Sequence, residues 1–135
     1  MLVSDVMIRE VFTLAPDETL REAILKMNDH HVRHLPVVED DVLKGILSER
    51  DIRLHAIPVG TDSEPHLLRL DDSVSDVMTM SPIVVAPDLP LNQLLDVFLE
   101  EKVGAVPVVS DGRELLGIVG YLDLLAFLRS VKEVL

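Results

Sequence analysis

An α/β fold built from two like halves is what these 135 residues predict, on three observations. Short segments recur in the same order about 71 residues apart. Runs of β-branched residues alternate with stretches of helical period. The apolar residues are nearly all aliphatic: hydrophobic content is 48% and aromatic content only 3%, so any core must be built from Leu, Val and Ile. Many short apolar runs of that kind, divided by Pro and Asp, favour mixed α and β structure.

The recurrence is the most informative of the three. Ser4-Asp5-Val6-Met7 returns as Ser75-Asp76-Val77-Met78, and Ala15-Pro16-Asp17 returns as Ala86-Pro87-Asp88. Leu35-Pro36-Val37-Val38 is matched by Val106-Pro107-Val108-Val109, all at an offset of 71. Beyond that point Gly45-Ile46 aligns with Gly117-Ile118 and Asp51 with Asp123, at 72. One extra residue is therefore expected in the turn near Asp111-Gly112-Arg113, where an insertion is easily tolerated.

Each copy reads as the same succession of elements. Thr19 and Glu22 have the spacing of a capping box. Leu20, Ala23, Ile24 and Met27 then fall on one face of a helix, and Leu91, Leu94, Leu95 and Phe98 repeat that face. Leu35-Pro36-Val37-Val38 is a strand, turned at Glu39-Asp40-Asp41 into an antiparallel partner over residues 42–47. In the second copy Asp111-Gly112 is the stronger hairpin signal. Pro36 and Pro107 lack a donor N–H and suit a strand start or edge. A second helix is expected from Ser48 and Glu49, and its counterpart from Gly120 and Tyr121. Residues 58–71, rich in breakers from Pro58 to Pro65, read as a linker between repeats 1–57 and 72–135. Each repeat is too small to bury much surface alone, so the two are expected to pack sheet to sheet about a pseudo-twofold axis.

Composition narrows the function. A net charge of −12 argues against nucleic acid or anionic membranes as partners. The absence of cysteine removes disulfides, thiol catalysis and thiolate metal sites. No secretory signal and no apolar run of ~20 residues is visible, which predicts a cytoplasmic protein. No nucleophile elbow, paired acid motif or P-loop is present, so no enzyme is expected. His30 and His34 are four apart, as ligands on one helix face would be. The helix should end before Leu35 and no third ligand is evident, so no metal is predicted.

A unit ordered as Ser-Asp-Val-Met, a Pro before a helix, Leu-Pro-Val-Val, then Gly-Ile-x-Ser-x-x-Asp resembles a CBS domain. Two in tandem resemble the CBS pair, or Bateman module. His31-Val32-Arg33-His34-Leu35-Pro36-Val37-Val38 with Ser48-Glu49-Arg50-Asp51 is also similar to small stand-alone CBS-pair proteins of the acetoin-utilisation protein B type. The resemblance implies a regulatory module binding an adenosine nucleotide (AMP, ADP or ATP) in the cleft between its repeats. The partner that reads this signal is not identified by the sequence. The alternative is a ligand-free scaffold acting through dimerisation.

The implied site residues make chemical sense. Ser48, where a strand gives way to a helix, offers a hydroxyl beside backbone N–H groups to a phosphate. Asp51, one turn on, is acceptor-only and matches the paired donors of a ribose diol. Arg33 occupies a position where relatives place a phosphate-binding base, and Arg50 is a second cation nearby. Thr13-Leu14-Ala15 and His34-Leu35-Pro36 would enclose the adenine. In the second copy Gly120 replaces Ser48 and Gly104 replaces Arg33, leaving Asp123 alone of the three polar groups. Ser48 and Asp51 also suit a plain helix cap. The C-terminal stretch Tyr121–Val131 is apolar over more than one face, which suits either intramolecular core or an interface, and Leu124, Phe127 and Leu128 predict a homodimer contact.

Overall fold

The computed structural model describes residues 1–55 and 69–131. The expected linker segment Pro58–Pro65 lies outside them. The chain is α/β, with four α-helices and two small sheets among the described residues, as the alternation of periods predicts. It divides into two compact units, one made of Met1–Val11 with Pro82–Leu135, the other of Phe12–Ser81. The units cut across the sequence repeats. Each takes the Ser-Asp-Val-Met segment that belongs, by sequence, to the other repeat.

In the unit spanning Phe12–Ser81, helix α1 (Leu20–His30) starts where the capping spacing placed it. The Thr19 hydroxyl accepts from the Glu22 N–H at 3.2 Å. Two further N–H groups of its first turn, of Leu20 and Arg21, donate to the carbonyls of Asp72 and Leu70, both at 3.0 Å. The returning chain thus satisfies donors that a helix start leaves open. The helix ends at His31, whose φ of 54° is left-handed. Strands β1 (His34–Glu39) and β2 (Val42–Ser48) form the expected antiparallel hairpin. Asp40 and Asp41 supply, at φ 53° and 65°, the pair of positive values that a two-residue type I′ turn needs. Helix α2 (Glu49–His55) follows directly, and β3 (Thr79–Met80) pairs with β2 on its other side. Leu14 runs parallel to β1 opposite Val37, so residues near Leu14 flank the hairpin's free edge.

The other unit repeats the plan. Helix α3 (Leu91–Glu101) lacks a side-chain cap, and the Met1 carbonyl accepts from its Leu91 N–H at 2.9 Å. Strands β4 (Ala105–Val109) and β5 (Leu115–Gly120) form a hairpin, and α4 (Tyr121–Ser130) closes the unit. Its turn is longer than Asp-Gly suggests. Ser110 and Glu114 bracket it, and the left-handed residue is Arg113 at φ 65°, which accommodates the extra residue. Ile8 bridges to Ile118 where β3 meets β2 in the first unit.

The cores correspond position by position except at Met27, whose counterpart Phe98 is only partly buried. Leu14, Leu20, Ala23, Met27, Leu35, Val37, Leu47, Ile52 and Val74 are buried together in one unit. Val85, Leu91, Leu94, Val106, Val108, Val119, Leu124 and Val3 are their counterparts in the other. The segment from the far repeat contributes Val74 to one core, and Val3 with Met7 to the other.

Candidate functional site

The hairpin β1–β2 brings the expected residues at the start of β1 and those around Ser48 and Asp51 to one end of its sheet. His34 opens β1 directly opposite Ser48, which ends β2. Arg33 immediately precedes β1, and its carbonyl accepts from the Glu49 N–H at 2.9 Å, joining the strand start to the start of α2. Asp51 lies in the first turn of α2. Its carboxylate accepts from the Ser48 N–H at 2.9 Å, while the Ser48 hydroxyl accepts from the Asp51 N–H at 3.0 Å. This reciprocal cap fixes the carboxylate orientation. It also means that both residues serve the helix whether or not a ligand is present.

The electrostatics converge on His34. Burial pushes its pKa below the ordinary 6.5, the Asp51 carboxylate raises it, and the Arg33 guanidinium lowers it. Burial dominates, so the ring is held neutral at neutral pH. Arg33 itself is 82% exposed and approaches Glu49 at 3.7 Å. Such an exposed pair contributes little, so the guanidinium is available to an incoming anion at small cost. Arg50 is exposed on α2.

Thr13, Leu14 and Ala15 lie along the free edge of β1, with the Leu14 N–H donating to Pro36 O at 2.9 Å and Val38 N–H to Leu14 O at 2.8 Å. Leu14 and Leu35 point their side chains into the core, and Pro36 is buried as well. Their side chains are therefore turned away from any ligand, and the Leu14 backbone is already bonded to β1. The sequence did not reveal Lys26, whose ammonium donates to Thr13 O at 2.8 Å and pairs with Glu18 at 3.5 Å. Glu18 in turn accepts from the Ala15 N–H at 2.7 Å. These contacts stiffen the 13–15 segment, and no local pattern announces a pair eight residues apart across a helix start.

His30 ends α1 and stacks on Phe12, with ring centroids 3.6 Å apart. It shares no helix face with His34. Among the described residues no three His, Asp or Glu side chains gather as a metal site.

In the other unit Asp123 accepts from the Gly120 N–H at 3.2 Å, and Tyr121 N–H donates to Gly104 O at 3.1 Å. The backbone wiring of the first unit is retained there. The hydroxyl and the guanidinium are missing.

A duplicated α/β unit carrying a carboxylate one helical turn beyond a Gly-Ile strand defines a tandem-repeat module. The chain belongs to the CBS domain family, whose sequence profile matches residues 3–58 and 74–130. The CBS domain-containing protein YhcV of Bacillus subtilis is 34% identical over 122 residues, spanning 90% of this chain and 81% of that protein. A putative acetoin utilization protein (AcuB) from Vibrio cholerae is 28% identical with a TM-score of 0.83, over 98% of this chain and 93% of that one. CBSX2, solved in complex with AMP, has the same fold, with a TM-score of 0.83 and 24% identity over 97% and 98% of the two chains.

Proposed function

We infer that this protein is a non-catalytic, cytoplasmic regulatory module that binds an adenosine nucleotide at the Arg33–His34–Ser48–Asp51 end of the β1–β2 sheet. The observation that carries the reading is the convergence of a fixed carboxylate, a neutral imidazole and a releasable guanidinium around one strand end. Asp51 accepts from the ribose hydroxyls, Arg33 meets the phosphate, and the 13–15 edge lies beside the base. Membership of the CBS family, and the AMP bound to CBSX2, support adenosine as the ligand class.

The pocket built on Asp123 lacks the groups of Ser48 and Arg33, so it binds more weakly. Ligand-dependent packing is then read by a protein partner or by a second copy of the chain. The second copy meets α4, mainly through residues other than Leu124, Phe127 and Leu128. Leu124 is buried, and Phe127 and Leu128 pack onto their own core. The face left over is Tyr121, Leu122 and Leu125, exposed at 49%, 64% and 56%.

A thermal-shift panel of AMP, ADP, ATP and S-adenosylmethionine tests the reading. A ligand at 100 times its Kd stabilises by about 2.7 kcal/mol, a midpoint rise on the order of 10 °C for a domain of this size. A flat response to every adenosine compound would instead support the ligand-free scaffold.

A further inference from the structure

A groove of about 560 Å3 runs between α1 and α2 in the Phe12–Ser81 unit, beside the residues assigned to the nucleotide but mostly distinct from them. Its floor is carbon: Ile24, Met27, Val32 and Ile52. Met27 and Ile52 are core residues whose outer surfaces form the bottom of the groove, while Ile24 and Val32 are half-buried against that core. Its rim carries Arg33 and Arg53, both exposed. On a chain with a net charge of −12, two guanidinium groups over an apolar floor reverse the prevailing sign. Among the described residues Glu49 is the one carboxylate in the lining, and Arg33 faces it at 3.7 Å. The volume lies in the range that small organic ligands occupy, and an apolar lining with a few placed polar groups is how such ligands are held.

We propose that this groove binds a small amphiphilic anion, an aliphatic or aromatic body bearing one carboxylate. The body lies on Ile24, Met27 and Ile52, and the carboxylate meets Arg53, with Arg33 within reach. Neither Ser48 nor Asp51 lines the groove, so it lacks the carboxylate that would engage a ribose. A nucleotide and a groove ligand share only Arg33. Arg53 therefore tests the groove without touching the nucleotide site.

The experiment is an amide nitrogen–proton correlation titration of the full chain with sodium octanoate, run beside 1-octanol and beside sodium chloride at matched ionic strength. Octanoate is expected to give saturable shifts clustered at Ile24, Asn28, His31 and Arg53. Octanol is expected to bind several-fold more weakly at the same amides. Arg53→Gln should weaken octanoate by about twofold to fivefold, the scale of an exposed ion pair, while leaving octanol unchanged. AMP affinity measured on the same variant should not move, so that failure of the groove and failure of the nucleotide reading are scored separately. Absent or scattered octanoate shifts, equal binding of octanoate and octanol, or full octanoate affinity in the Arg53→Gln protein would each overturn the proposal.

Discussion

Replacing Gly45 by alanine isolates the contact that ties each unit to the segment from the other repeat. Gly45 is buried in β2, opposite Val37 of β1 and Met80 of β3. A Cβ there would stand 2.6 Å from the Met78 sulfur and 2.8 Å from the Thr79 carbonyl oxygen. The thioether can swing away, but the carbonyl belongs to a paired strand and moves only with it. Overpacking of this kind costs about 1–3 kcal/mol, offset by about 0.4–1 kcal/mol from the lost freedom of the unfolded glycine. The net expectation for Gly45→Ala is a loss of about 1–2 kcal/mol. Gly117→Ala should behave alike, since its Cβ would meet Ile8 O and the Met7 sulfur, both at 2.8 Å. Gly112→Ala is the control. Its nearest neighbour would be the Ser110 hydroxyl at 3.9 Å, and its φ is outside the left-handed region, so it should be neutral or slightly stabilising. Urea unfolding followed by far-ultraviolet circular dichroism measures all three. Equal stability of the Gly45→Ala and Gly112→Ala proteins would refute the close-approach account.

Calorimetric titration with AMP should show Asp51→Ala weakening the tight phase more than tenfold, as loss of a charge-assisted bond worth roughly 1.5–3 kcal/mol implies. Asp123→Ala should leave that phase nearly intact, and the reverse ranking would reassign the stronger pocket. For His34, the folded pKa lies below the ordinary 6.5, so the unfolded chain holds more protons between the two values. Stability should therefore fall as pH drops from 6.5 through that window, and His34→Gln should flatten the decline in a thermal-midpoint series. Sedimentation velocity at micromolar concentration should give a dimer for the parent chain and a monomer for Leu122→Glu with Leu125→Glu. A monomeric parent would remove the α4 interface.

The elements were legible wherever their cause is local. Thr19 and Glu22 announce a helix start because the cap is made between neighbours, and the β-branched run from Leu35 announces a strand because those residue types favour extended backbone. The turn of the second repeat was half legible. Asp111-Gly112 marks a hairpin, but one added residue shifts the left-handed position onto Arg113, which no residue preference foretells. The inward face of α4 was not legible, because Leu occurs nearly all round it and sequence cannot tell a core Leu124 from a surface Leu125. At the site the residue types were readable and their wiring was not. Ser48 and Asp51 serve both a cap and a pocket with one spacing, and the Arg33 approach to Glu49 depends on how β1 meets α2.

The deepest feature hidden from the sequence is the exchange of segments, and it predicts how the chain can be cut. Ser4-Asp5-Val6-Met7 and Ser75-Asp76-Val77-Met78 carry the same local signal, so nothing nearby decides which sheet each one joins. In the structure the choice is settled by contacts made far along the chain. A fragment of residues 1–57 would keep α1, β1, β2 and α2 yet lose Val74, which is wholly buried in their core. It would also lose β3 and the carbonyls of Leu70 and Asp72 that satisfy the first turn of α1. The Asp72 carboxylate, 2.8 Å from His55, and that of Asp71, 3.2 Å from Arg21, would go with them. Deleting a buried aliphatic side chain alone costs about 2–4 kcal/mol, a large share of what so small a unit can hold. A fragment of residues 12–81, 70 residues against 57, retains every one of these groups. Circular dichroism with a thermal ramp should therefore show cooperative melting for 12–81 and a broad, non-cooperative profile for 1–57. If 1–57 melts as sharply as 12–81, the sequential repeat, not the exchanged unit, is the folding unit.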